Sequence, residues 1–185
     1  MADEFKFEEA FDRARPYLRL LAQTNLGERL KQKVDASDVV QQTLLQAHKD
    51  REQFKGSNEG QMIAWLRSIL KNRLIDIARH WKGQKRDMDR DVNLQQKVDD
   101  SFRRVDDWLA MSQTSPSMAA EGNENLLLLS SAVDQLPDDL RQVVVMHHLQ
   151  GMKLVEISRE VGCDETTVGR RLFRGMQQLG ELMGS

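Results

Sequence analysis

An all-α protein is predicted, with two small helical bundles joined by an acidic, partly helical linker. Three observations lead there. Strand signals are nearly absent: the one β-branched run, Val143-Val144-Val145, lies in a segment that otherwise favours helix. Apolar residues recur at helical spacing in several windows. Punctuation is sparse, with prolines only at 16, 116 and 137, and the charge balance changes abruptly along the chain.

The elements follow in order. Phe7, Phe11, Ala14, Leu18 and Leu21 form a first stripe, and Val39, Thr43, Leu44 and Ala47 a second. Ile63, Leu66, Leu70, Leu74, Ile77 and Trp81 form a third. Leu94, Val98, Phe102, Val105 and Leu109 predict an amphipathic helix inside the acidic segment. Ser115-Pro116 reads as N-cap and first helical residue. Pro137 opens another helix, with Asp138 and Asp139 in its positive first turn. The expected division is 1–86, a linker over 87–114, and 115–185.

The formal net charge is −2, but local balances differ sharply. Residues 61–86 hold 7 basic side chains and only Asp76 as acid, a net of +6. Residues 87–125 net −5. A basic block beside an acidic one suggests a polyanion-binding face on a protein that is not generally sticky. Hydrophobic residues make up 39% of the chain and aromatics 5%. No apolar run approaches the roughly 18 residues of a spanning helix, and the charged N-terminus leads into no apolar segment. A cytoplasmic protein without membrane contact is therefore expected. Cys163 is the only cysteine, so an intramolecular disulfide and a Cys-rich metal site are excluded. His147 and His148 are adjacent, about 100° apart on a helix, and are read as packing and surface residues, not as metal ligands. No cofactor and no catalytic activity are expected: there is no Gly-rich phosphate loop, no His-Glu-x-x-His and no nucleophile elbow.

Residues 154–172 have helix-turn-helix spacing. Ser158 supplies the small residue at the crossing, and Gly162, four positions on, tolerates a left-handed turn. Ile157, Val161, Val168 and Leu172 pin both helices to a third, and Cys163 falls where the turn points inward. The second helix starts near Asp164 or Glu165. It is expected to expose Glu165, Thr166, Thr167, Gly169, Arg170, Arg171 and Arg174 to a major groove. Gly169 and Gly175 weaken this helix by about 1 kcal/mol each relative to Ala. Further upstream, Asn72, Asp76 and Arg79 share one face of the basic helix, and Lys82, Lys85 and Arg86 continue past its end. Such a face suits a duplex or separated strands.

Taken in order, these segments resemble a bacterial sigma factor of the sigma-70 family, extracytoplasmic-function group. Asp38, Gln41, Gln42 and Thr43 fall in the region 2.2 helix, which in the family binds the β′ clamp helices of RNA polymerase. Phe54-Lys55-Gly56 and Ala64-Trp65-Leu66-Arg67 match region 2.3, whose loop in the family helps hold a flipped base. Residues Asn72 to Arg79 match region 2.4, the reader of the −10 element. Leu136 to Arg141 resembles the opening of region 4, and the helix-turn-helix resembles its reader of the −35 element. The resemblance implies a transcription initiation factor with core polymerase (β′ clamp helices and β flap) and promoter DNA as partners. It also implies control by an anti-sigma factor or a Ser/Thr kinase.

The sequence departs from the family at Ser37, where an acid usually precedes the Asp at 38. Ser37 reads as a helix N-cap. The alternative is a phosphorylation site that adds roughly −1.5 to −2 charge to the polymerase-facing surface, with Thr43 a second candidate. The competing functional reading is a stand-alone helix-turn-helix regulator, which would need no polymerase.

Overall fold

The computed structural model describes residues 7–26, 28–81, 88–111 and 122–184. No strand occurs among them, and none of the described helices is long and apolar enough to cross a membrane. Lys82, Lys85 and Arg86, and the Ser115-Pro116 helix start, lie outside the described residues. The chain divides into two compact units, the first ending at Phe102 and the second starting at Arg103.

In the first unit, α1 (Phe7–Asn25), α3 (Ala36–Lys49) and α4 (Glu59–Trp81) pack together, with the single turn α2 (Glu28–Lys31) between α1 and α3. The predicted stripes meet in one core: Phe11, Leu18, Leu21, Val39, Leu44, Leu66, Leu70 and Leu74 are buried. The third stripe ends sooner than its spacing suggests. Trp81 is 43% exposed, because the helix has run past the core, and the Lys33 ammonium lies 4.3 Å over its ring. The N-terminal part of α5 (Met88–Met111) joins this unit. Val98 and Phe102 are buried, and the Lys71 ammonium meets the Asp99 carboxylate at 2.6 Å. Arg67 lies between two rings. It donates to the buried Tyr17 hydroxyl at 2.6 Å, and its guanidinium is 5.3 Å from the centre of Phe102.

In the second unit, α9 (Glu165–Gly184) packs against α6 (Gly122–Gln135), α7 (Asp138–Val144) and α8 (Leu154–Val161). A wide π-type turn, Val145–Leu149, follows α7 and accommodates the valine run in helical form. Val143, Met146, Ile157 and Val168 are the core of the helix-turn-helix, with Leu154, Val161, Cys163 and Leu172 at its edge. Gly162 adopts φ +69°, the left-handed conformation expected of the turn. Cys163 points toward this core as predicted, at half-burial.

Gly175 does more than weaken a helix. A Cβ there would lie 2.8 Å from Val144 Cγ2 and 3.6 Å from the Leu140 backbone oxygen, so its absence is what lets α9 close on α7. Gly169 is different: nothing lies within 4 Å of where its Cβ would stand. Thermal unfolding should separate them. Gly175→Val overpacks the contact and costs about 1–3 kcal/mol, several degrees in Tm. Gly169→Ala meets no neighbour and raises helix stability by up to about 1 kcal/mol.

The histidine pair is partly buried. His148 stacks on Trp108 of α5 (ring centres 5.7 Å apart, 26° between planes), and His147 Nδ1 lies 3.0 Å from the Met152 carbonyl. Burial, and then the neighbouring His147, hold the His148 pKa below the ordinary 6.5. The fold prefers the neutral ring, so its contribution is complete above the ordinary histidine range and declines as pH falls below it. Chemical denaturation at pH 7 and pH 5 should show a loss at the lower pH that shrinks in His148→Phe.

Candidate nucleic-acid and polymerase interfaces

On α3, one aspartate sets the helix start. Asp35 is the N-cap, its carboxylate accepting the Ser37 backbone N–H at 2.6 Å, so the cap is Asp35 and not Ser37. The shorter route wins because the Asp35 carboxylate closes the turn before the chain reaches Ser37. Ser37 is left exposed in the first turn. Asp38, Gln41, Gln42 and Leu45 follow at i, i+3, i+4 and i+7 and are all exposed, while Val39, Val40, Leu44 and Ala47 face the core. Gln42 accepts a hydrogen bond from Arg73 of α4, which braces this face. Leu45, 55% exposed, belongs to this face although the sequence reading does not include it. Its signal is that it falls off the apolar stripe yet in phase with Asp38. Thr43 does not belong to it. The residue is 1% exposed and its hydroxyl donates to the Val39 carbonyl at 2.8 Å. Its side chain is a core element, out of reach of a kinase or a polymerase contact in this fold.

The loop before α4 is built on an aromatic cluster. The Phe54 ring centre lies 5.1 Å from that of Trp65 and 5.8 Å from that of Phe7. Phe54 is half-buried and anchors the loop, one of its ring partners lying 47 positions away in sequence. Gly56 is required beside it, since a Cβ would collide with the Phe54 ring. Asn58 caps α4 by accepting the Gln61 N–H at 2.9 Å, and Gln61 accepts in turn from the Ser57 N–H at 2.8 Å. Lys55 is left exposed at the loop's tip. Along α4, Asn72, Asp76 and Arg79 share one face as the spacing predicts, with Arg79 and Asp76 3.3 Å apart.

On α9, the structure divides the predicted contacts. Asp164 accepts from the Thr167 N–H at 2.9 Å and from its hydroxyl at 2.7 Å, so Thr167 closes the cap and its hydroxyl proton is committed to Asp164. The Thr167 hydroxyl bond, then its backbone N–H, hold the Asp164 pKa below the ordinary 3.8. Arg171, half-buried, pairs with Asp139 of α7 at 3.4 Å and lies 4.0 Å from Cys163 Sγ. Glu165, Thr166, Arg170 and Arg174 remain exposed. Phe173, absent from the sequence-based set, is 72% exposed on the same face. Its position one turn beyond Gly169 could have marked it.

Two kinds of variant should therefore behave differently. Arg171→Ala and Asp164→Ala lower Tm by a few degrees, with Asp164→Asn milder, and leave the salt dependence of promoter binding unchanged. Arg170→Ala or Arg174→Ala leaves Tm unchanged and reduces the salt slope of promoter binding by about 1 for each phosphate no longer neutralised.

The family model for sigma-70 region 2 matches residues 11–86, and that for sigma-70 region 4 matches residues 126–179. The chain is 28% identical to the ECF RNA polymerase sigma factor SigE of Mycolicibacterium smegmatis, over 80% of this chain and 52% of that protein. It is 28% identical to SigF of Caulobacter vibrioides, over 80% of this chain and 71% of that one. It is 26% identical to SigM of Mycobacterium tuberculosis, over 98% and 79%. The chain thus spans about half the length of the first relative and more than two thirds of the other two. The solved sigma factor RpoE of Bartonella quintana, in complex with the anti-sigma factor NepR, aligns over 96% of each chain at 21% identity and a TM-score of 0.34. The chain belongs to the sigma-70 family of RNA polymerase sigma factors, and its relatives named here are extracytoplasmic-function members of that family.

Proposed function

We propose that this sigma factor docks on core RNA polymerase through the exposed face of α3 and brings the enzyme to promoters with a −10 and a −35 element. One observation carries the reading: two units each expose a polar, arginine-bearing helix face, in the order in which the family's regions 2 and 4 match the chain. Residues 1–86 are assigned to polymerase and −10 binding, 115–185 to −35 binding, and 87–114 to the linker. Asp38, Gln41, Gln42 and Leu45 would meet the β′ clamp helices. Lys55, Asn72, Asp76 and Arg79, with Lys82, Lys85 and Arg86 beyond them, would meet the −10 region. Glu165, Thr166, Arg170 and Arg174 would meet the −35 element, and the second unit the β flap.

The physical logic is bivalency. Each face offers few cations and should bind DNA weakly alone at physiological salt. Held at fixed separation on the polymerase, binding by one raises the effective concentration of the other. Holding an extruded base beside the 54–58 loop would offset part of the unstacking cost of opening the duplex. The protein itself performs no catalytic step and works in the cytoplasm, where polymerase and DNA are. Control falls to an anti-sigma factor or to a Ser/Thr kinase acting at Ser37, which is exposed next to Asp38 in the positive first turn of α3.

Run-off transcription with purified core polymerase and a genomic promoter library tests the whole proposal. Adding the chain should yield promoter-specific transcripts, and inhibition would indicate a stand-alone repressor. Asp38→Ala with Gln41→Ala should weaken association with core at least about tenfold by equilibrium binding, without lowering Tm. Ser37→Glu should bind core at least as well as wild type, and Ser37→Ala should initiate poorly in its host if phosphorylation there is the switch.

A further inference from the structure

The recognition helix has an unusual middle. Glycine at 169 leaves a bare notch in the leading face, with nothing within 4 Å of the missing Cβ. The notch opens into a surface concavity bounded by the Phe173 ring and Leu154, with Thr166, Arg170 and Arg174 at its rim. Phe173 is 72% exposed, on a helix whose apolar positions Val168 and Leu179 are buried. A solvated phenyl ring beside two exposed arginines is poorly placed for an isolated protein but well placed for a polyanion with apolar groups on it. Glu165, also lining the concavity, is repelled by phosphate but accepts a hydrogen bond from a base amino group, so this face suits base edges as well as the backbone.

Of the groups exposed in a major groove, the thymine C5-methyl is the largest apolar one. A helix without a side chain at its closest point can approach the groove floor more nearly than one carrying even a methyl. We propose that the Gly169 notch, walled by Phe173, is a thymine-reading site: it takes the C5-methyl of one thymine in the −35 element while Arg170 and Arg174 hold flanking phosphates or guanine edges. This deepens the −35 assignment to α9 and rests on it. It adds an apolar component to a contact whose other members are all polar, so part of the sequence preference should survive at salt concentrations that weaken the ionic part.

The experiment uses holoenzyme assembled from core polymerase and the full chain, on the strongest promoter recovered by run-off. Each thymine in either strand of the −35 element is replaced in turn by deoxyuridine, which removes the methyl and keeps the pairing. At one position the substitution should weaken promoter binding about three- to fivefold, as expected for the loss of one buried methyl. In Phe173→Ala that difference should disappear, and in Gly169→Leu, which fills the notch, the preference for thymine there should be lost or reversed. Phe173 is exposed, so Phe173→Ala should keep the wild-type Tm. If no single deoxyuridine matters, or if Phe173→Ala retains the same penalty, the thymine site is wrong. A promoter with a scrambled −35 element separates the two levels. If scrambling costs nothing, the −35 assignment itself falls and the thymine site with it. If scrambling weakens binding but no deoxyuridine does, the thymine site alone falls. Weakened association of Phe173→Ala with core polymerase, with thymine preference intact, would reassign the patch to the enzyme.

Discussion

The three helices that carry the proposed contacts all begin the same way: a short polar side chain closes the first turn. Asp35 does this for α3, Asn58 for α4 and Asp164 for α9. The first backbone N–H groups of a helix have no partner within it, and a cap that satisfies one fixes where the helix starts. The buried stripe then fixes its rotation. Between them, start and stripe leave each helix little choice over which residues face outward. The interfaces are what remains of the circumference after the core has taken its share, which is why Asp38, Gln41, Gln42 and Leu45 line up on one side of α3.

Much of this is legible in the sequence, and most of what is not has one cause. Stripes, the left-handed glycine at 162 and the start of α9 depend on neighbours within a turn or two, and spacing reveals them. The fate of an individual polar side chain depends on partners far along the chain. Arg171 reads like Arg170 and Arg174 until Asp139, 32 positions upstream, is seen beside it. Phe54 reads as an isolated loop residue until Phe7 and Trp65 are seen against its ring. Thr43 and Thr167 mislead for a more local reason. A threonine hydroxyl satisfied by its own helix or cap is indistinguishable by spacing from one offered to a partner. The Asp35 cap is a choice between two good caps two residues apart, which composition does not rank.

Charge shows the same division. The basic block of α4 contains cations committed to the fold: Lys71 is bound to Asp99, and Arg67 is stacked between Tyr17 and Phe102. Asp99 is in turn one of the acids counted in the linker, so the two opposite blocks partly neutralise each other within the first unit. Net charge by segment identifies the region that matters and overstates the charge left to act at a distance.

Two faces divide α9. Val168, Leu172, Gly175 and Leu179 hold one of them against its neighbours, and the outward positions 166, 169, 170, 173 and 174 form the other. Substitutions among those five can accumulate without being filtered for foldability, because the clamp that fixes the helix lies elsewhere. A lineage carrying this arrangement can redirect its regulator to a new set of genes in small steps, and an engineer seeking mutually insulated regulators can randomise one short surface while leaving the scaffold untouched.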